Sequence, residues 1–137
     1  MKTIEAGLAK FDSPEHAIES LLAAYRARDI DAMVAAKDFA LDSQLFWEGL
    51  GLPVTDDQMK KSVVAFEKSF RDSMREQMPN YEGAKYAFAA REQLQTNLVV
   101  LTLECEWPNG QTRKLKLPVF KKESTWKTVL LPSFDHL

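Results

Sequence analysis

A chain of 137 residues with 45% hydrophobic and 28% charged side chains has ordinary globular composition. It is one domain (1–137), able to bury a core without staples, and neither disordered nor fibrous. Its net charge of -2 is near neutral, and a lone cysteine, Cys105, excludes an internal disulfide framework and reads as a small buried apolar residue.

The segment Met1 to Glu5 lacks an apolar core of signal-peptide length. The longest apolar run, Leu98 to Leu101, is far too short to span a bilayer. The expected address is therefore cytoplasmic, with no membrane segment. Residues 13–78 read as helix and residues 84–131 as strands, the change being marked by Pro79-Asn80 and Gly83. Helices followed by a meander predict an α+β fold, with N-terminal helices packed on a curved antiparallel sheet of about four strands.

Ser13 is a strong N-cap, Pro14 suits the first helical position, and Ala17, Ile18, Leu21, Leu22 and Tyr25 make one apolar stripe that ends near Arg28. Asp29 caps a second helix whose Ile30, Met33 and Val34 face inward. Leu41, Leu45, Phe46 and Leu50 carry the apolar face on to the Gly49–Pro53 loop. Thr55 with Gln58 makes a capping box. After it, Met59, Val63, Phe66, Phe70 and Met74 recur at helical spacing up to Pro79. Phe66 and Phe70 are both read as core.

Strands are predicted over Lys85 to Arg91, Thr96 to Trp107, Gln111 to Lys121 and Trp126 to Leu131. In the second, Val99, Leu101, Leu103, Cys105 and Trp107 share one face, and Thr102, Glu104 and Glu106 the other. At Pro108-Asn109-Gly110, a three-residue loop with Gly110 left-handed sets Leu103 opposite Leu115 and Glu104 opposite Lys114, which matches the apolar faces.

Acids outnumber bases up to Asp57, while Arg113, Lys114, Lys116, Lys121, Lys122 and Lys127 crowd the last strands. Lysines are also what an exposed strand face carries, and no aromatic-rich signature accompanies them, so nucleic acid is not an expected partner. Arg113, Lys114 and Lys116 are the candidate residues for meeting an acidic protein partner. His16 and His136 are not set near each other by local spacing, and no metal or cofactor is expected.

The stretch Ser13-Pro14-Glu15-His16-Ala17, the stripe to Tyr25, Arg28-Asp29-Ile30-Asp31-Ala32-Met33 and the late Trp126-Lys127-Thr128-Val129 resemble the nuclear transport factor two-like (cystatin-like α+β) superfamily. Within it, Ala35-Ala36-Lys37-Asp38-Phe39 and the long helix before the sheet resemble a bacterial group described as immunity proteins. The resemblance implies a cone of bent sheet closed by helices. That fold hosts isomerases, cyclases, dehydratases, transport adaptors and plain binding proteins.

Two functions follow as expectations. One is a non-catalytic protein-binding module, an immunity-like protein that occludes a toxin, with homodimerisation left open. The alternative is a small-molecule enzyme or ligand carrier using a pocket in the cone. For an enzyme, isomerase-like chemistry implies a carboxylate base with hydrogen-bond donors, and Asp38 with Tyr25, Tyr81 or Tyr86 are the candidates. Asp38 has two readings: a carboxylate on the apolar face of one continuous helix, or the N-cap of a helix beginning at Phe39, which is the commoner role for Asp.

Overall fold

The computed structural model describes residues 1–129. Among them the elements run β1 (Lys2–Thr3), α1 (Pro14–Ala27), α2 (Ile30–Ala35), α3 (Phe39–Leu50), α4 (Asp56–Glu76), β2 (Lys85–Gln95), β3 (Leu98–Glu106), β4 (Thr112–Lys122) and β5 (Thr125–Thr128). The expected continuation of the last strand to Leu131, and His136, lie outside the described residues.

Each helix start is a side-chain cap. Ser13 Oγ accepts from the His16 N–H at 3.1 Å, and Asp29 Oδ1 from the Ala32 N–H at 3.1 Å. Thr55 and Gln58 exchange the two bonds of the capping box, at 3.1 and 2.9 Å. Asp38 is the cap of α3, its Oδ1 accepting from the Leu41 N–H at 3.0 Å. α1 stops where Arg28 turns left-handed, φ 56°, and its N–H closes onto the Ala24 and Tyr25 carbonyls.

Asp38 also anchors backbone. Its N–H donates to the Thr128 carbonyl at 2.9 Å, and the Thr128 N–H donates to the Ala36 carbonyl at 3.1 Å. The α2–α3 turn is thereby tied to β5. We expect Asp38→Ala to cost about 1 kcal/mol and Asp38→Asn much less, because an amide oxygen still accepts from the helix N–H; urea denaturation of the two variants checks this.

The strands form one antiparallel sheet in the order β1-β2-β3-β4-β5. It has five strands where about four are expected from the sequence. The additional one, β1, pairs only Lys2 with Tyr86 and Thr3 with Lys85, and a two-residue strand is too short to show an alternating pattern. The β3–β4 hairpin has the expected register, Leu103 opposite Leu115 and Glu104 opposite Lys114, with Gly110 at φ 85°. Register shifts in β2 between Phe88 and Ala90, and between Gln93 and Gln95, are bulges, the usual device for curling a sheet.

α1 lies between two apolar layers. Its Ile18 and Leu22 pack on Val99, Leu101, Leu103, Val119 and Trp126 of the sheet. Leu21 and Ala24, a third of a turn round, pack on Met33, Ala36, Phe39 and Phe70. The stripe read from the sequence therefore serves both layers. The result is a curled sheet closed by helices, the cone-like α+β architecture that the resemblance implies.

Candidate functional site

A cavity of about 300 Å³ opens between α1, the C-terminal end of α4 and the strands β3 and β4. Its apolar wall is Ile18, Leu21 and Leu22 of α1 facing Leu103, Leu115 and Leu117 of the sheet, with Met74 of α4 beside them. These side chains point the same way because i, i+3 and i+4 share a helix face and alternate residues share a strand face.

Polar groups also line the cavity. Tyr25, Tyr81, Gln77, Arg113 and Lys37 are its polar lining residues, Pro79, Pro118 and Val129 complete the wall, and no carboxylate belongs to it. Tyr25 and Tyr81 stack with ring centroids 5.3 Å apart and planes 14° from parallel. Tyr81 in turn meets Trp107 at 5.2 Å, and Trp107 Nε1 donates to the Asn80 carbonyl at 2.7 Å. The loop that carries Tyr81 is pinned against the β3–β4 turn: Gly83 has φ 74°, and a Cβ there would lie 2.7 Å from Pro108 Cγ, so only glycine fits without displacement.

Burial drives the electrostatics of the two phenols. It raises the pKa of Tyr25, Tyr81 adding to the rise and Arg113 opposing it. Tyr81 is raised in the same way, chiefly by burial, with Cys105 adding and Arg113 opposing. Both stay protonated, hence hydrogen-bond donors, throughout the physiological range. Burial likewise raises the Cys105 thiol, leaving it a poor nucleophile. Lys37 reaches the cavity wall with its ammonium 5.7 Å from the Phe70 ring centroid.

A second depression of about 380 Å³ adjoins the first and shares Pro79, Tyr81 and Arg113 with it. Asn80, Trp107, Asn109, Gln111 and Thr112 line the rest. Tyr81 and Arg113 therefore stand at the boundary between the two depressions.

The residues singled out in the sequence divide among four places. Tyr25, Tyr81 and Arg113 line the cavity. Asp38 lies outside it as the α3 cap, beside Lys122 and Lys127. The Tyr86 hydroxyl donates to the Glu19 carboxylate on α1, and Tyr86 is not part of the cavity wall. Burial, then this bond, raises its pKa.

Strand alternation separates the basic trio. Arg113 faces the helices with Leu115 and Leu117, whereas Lys114 and Lys116 line an outer depression with Val100 and Thr102. Lys114 sits 3.6 Å from Glu104, with both side chains well exposed, a pair of little consequence for stability. Asp42, fully buried one turn into α3, was not singled out in the sequence, although its place three residues after Phe39 and four before Phe46 sets it on that helix's inner face. Parity with Leu115 and Leu117 was a readable signal for Arg113.

No protein family and no curated protein sequence matches this chain. Among solved structures, a phospholipid-binding protein from Ralstonia solanacearum, determined in complex with a phospholipid, superposes with a TM-score of 0.63 at 18% identity, covering 88% of this chain and 76% of its own. That similarity establishes the fold. A Campylobacter jejuni protein described as a candidate NTF2-like transpeptidase overlaps at a TM-score of 0.47 and 9% identity, covering 87% of this chain and 100% of its own. No helix among the described residues is long and apolar enough to cross a membrane.

Proposed function

We propose that the protein is a binding protein that takes a single-chain apolar ligand into the cone cavity. The observation that carries this reading is the cavity itself, with Ile18, Leu22, Leu103, Leu115 and Leu117 forming an apolar wall and Tyr25, Tyr81, Arg113, Gln77 and Lys37 supplying its polar groups. Its size, about 300 Å³, is at the lower end of ligand sites. If a methylene takes roughly the volume of a liquid water, about 30 Å³, the space suits one chain on the order of ten carbons rather than two long ones.

Burying ten methylenes is worth about 8 kcal/mol gross, reduced by the freedom lost on association. The phospholipid bound by the Ralstonia solanacearum protein supports an apolar occupant for this fold. Binding is favoured over turnover because Asp38, the candidate base, is engaged as a helix cap away from the cavity. Calorimetric titration with decanol tests the reading. Saturable one-to-one binding with a negative heat-capacity change is expected, and no saturable binding would refute it.

A second reading, a protein-binding module of the immunity type, draws on the sequence resemblance and on Phe46, Leu50 and Leu52, exposed around the α3–α4 turn. Such a cluster is a candidate contact surface. Capture of a toxin encoded next to this gene, weakened by charge reversal at Lys114 and Lys116, would support it; a failure to bind any neighbouring product would remove it.

A further inference from the structure

We propose that the polar end of the cavity is an anion site formed by the Arg113 guanidinium and the Tyr25 and Tyr81 hydroxyls, so that the ligand is a single-chain amphiphile with a carboxylate or phosphate-monoester head. This rests on the reading of the cavity as a ligand site and deepens it by naming the head group and its orientation.

Three donors line a cavity that has no carboxylate in its wall. Arg113 makes no ion pair among the described residues, Glu104 and Glu106 of the neighbouring strand belonging to the opposite face of the sheet. Neither the Tyr25 nor the Tyr81 hydroxyl is hydrogen-bonded among the described residues, in contrast to Tyr86, which donates to Glu19. All three line the same cavity.

The arrangement is also held in place. Stacking of Tyr25 on Tyr81, and the tilted contact of Tyr81 with Trp107, fix both rings. The close approach of Gly83 to Pro108 fixes the loop beneath them. Arg113 gains its position from β4, opposite Cys105 in the register. Three donors with no acceptor of their own, at the end of an apolar slot, match an acceptor-only head on a hydrocarbon tail. Arg113 and Tyr81 also line the outer depression, so the head faces the Trp107 side and the tail runs between Ile18 and Leu117.

The test compares decanol, decanoate and decyl phosphate on the wild-type chain and on Arg113→Gln, with Arg113→Lys, Tyr25→Phe and Lys37→Gln alongside and thermal melts to confirm folding. At least one anion is expected to bind at least about tenfold more tightly than decanol, as a charge-assisted bidentate contact provides. The tighter of decanoate and decyl phosphate identifies the head. Arg113→Gln should abolish the anion-over-decanol preference, Arg113→Lys should retain part of it, and Tyr25→Phe should reduce it. Equal binding of all three ligands, or a preference that survives Arg113→Gln and disappears in Lys37→Gln, overturns the anion site while leaving the cavity reading intact. If none of the three binds, both readings fall.

Discussion

Phe70→Ala is expected to lower the free energy of unfolding by about 3–5 kcal/mol, the range for removing a buried aromatic. Phe70 is 6% exposed and is the buried residue of α4. Its ring meets Phe39 at 5.8 Å and packs in the cluster of Leu21, Ala24 and Met33, so truncation leaves a void where α4 meets α1 and α3. Phe66, also read as core from its spacing, is half-buried and meets Phe46 edge-on at 5.6 Å. With only part of its surface removed from water, Phe66→Ala should cost roughly 1–2 kcal/mol. Urea denaturation of both variants checks the difference; equal losses would contradict the two-layer account of the helices. Against the 5–15 kcal/mol that typically holds a domain together, the Phe70 variant is expected to be close to its stability limit.

Leu115→Trp is the second substitution with a large expected effect, here on binding. Leu115 is half-buried and projects from β4 into the cavity, and tryptophan is well tolerated on a strand. An indole that displaces room for about three methylenes removes about 2.4 kcal/mol of burial at about 0.8 kcal/mol each. That corresponds to about a 50-fold loss of affinity for a ten-carbon chain. The melting temperature should change little, because the new side chain fills space rather than leaving it. Calorimetry with decanol on the variant, beside Leu115→Ala as the cavity-enlarging control, measures this. Undiminished affinity in Leu115→Trp would place the ligand elsewhere.

Local chemistry made much of this fold legible. Ser13, Asp29, Asp38 and Thr55 cap helices because their side chains replace missing backbone acceptors at the chain positions where helices must start. The β3–β4 register was readable because one face of each strand is apolar and a slip by one residue would bury Glu104. Elements whose two faces share one environment were not readable: the far end of β2, from Ala89 to Gln95, is exposed on both sides and shows no alternation to extend Lys85 to Arg91. β1 fails for want of length.

The candidate site divides along the same line. Tyr25 belongs to the helical stripe and so to the cavity. Tyr81 reaches it through a loop whose course depends on Gly83 meeting Pro108, a contact across 25 positions of chain that no local pattern encodes. Arg113 was grouped with Lys114 and Lys116 by composition, although strand parity assigns it with Leu115 and Leu117. Charge clustering along a sequence is not clustering in space when the residues alternate across a sheet.

Methyl-resolved nuclear magnetic resonance during titration with decanoate tests the central claim most directly, because it locates the occupant. The account predicts saturating shifts at the methyl groups of Ile18, Leu22, Leu103, Leu115 and Leu117, with those of Leu50, Leu52 and Val64 unmoved. Shifts confined to those exposed residues, with the cavity methyls unchanged, would contradict it.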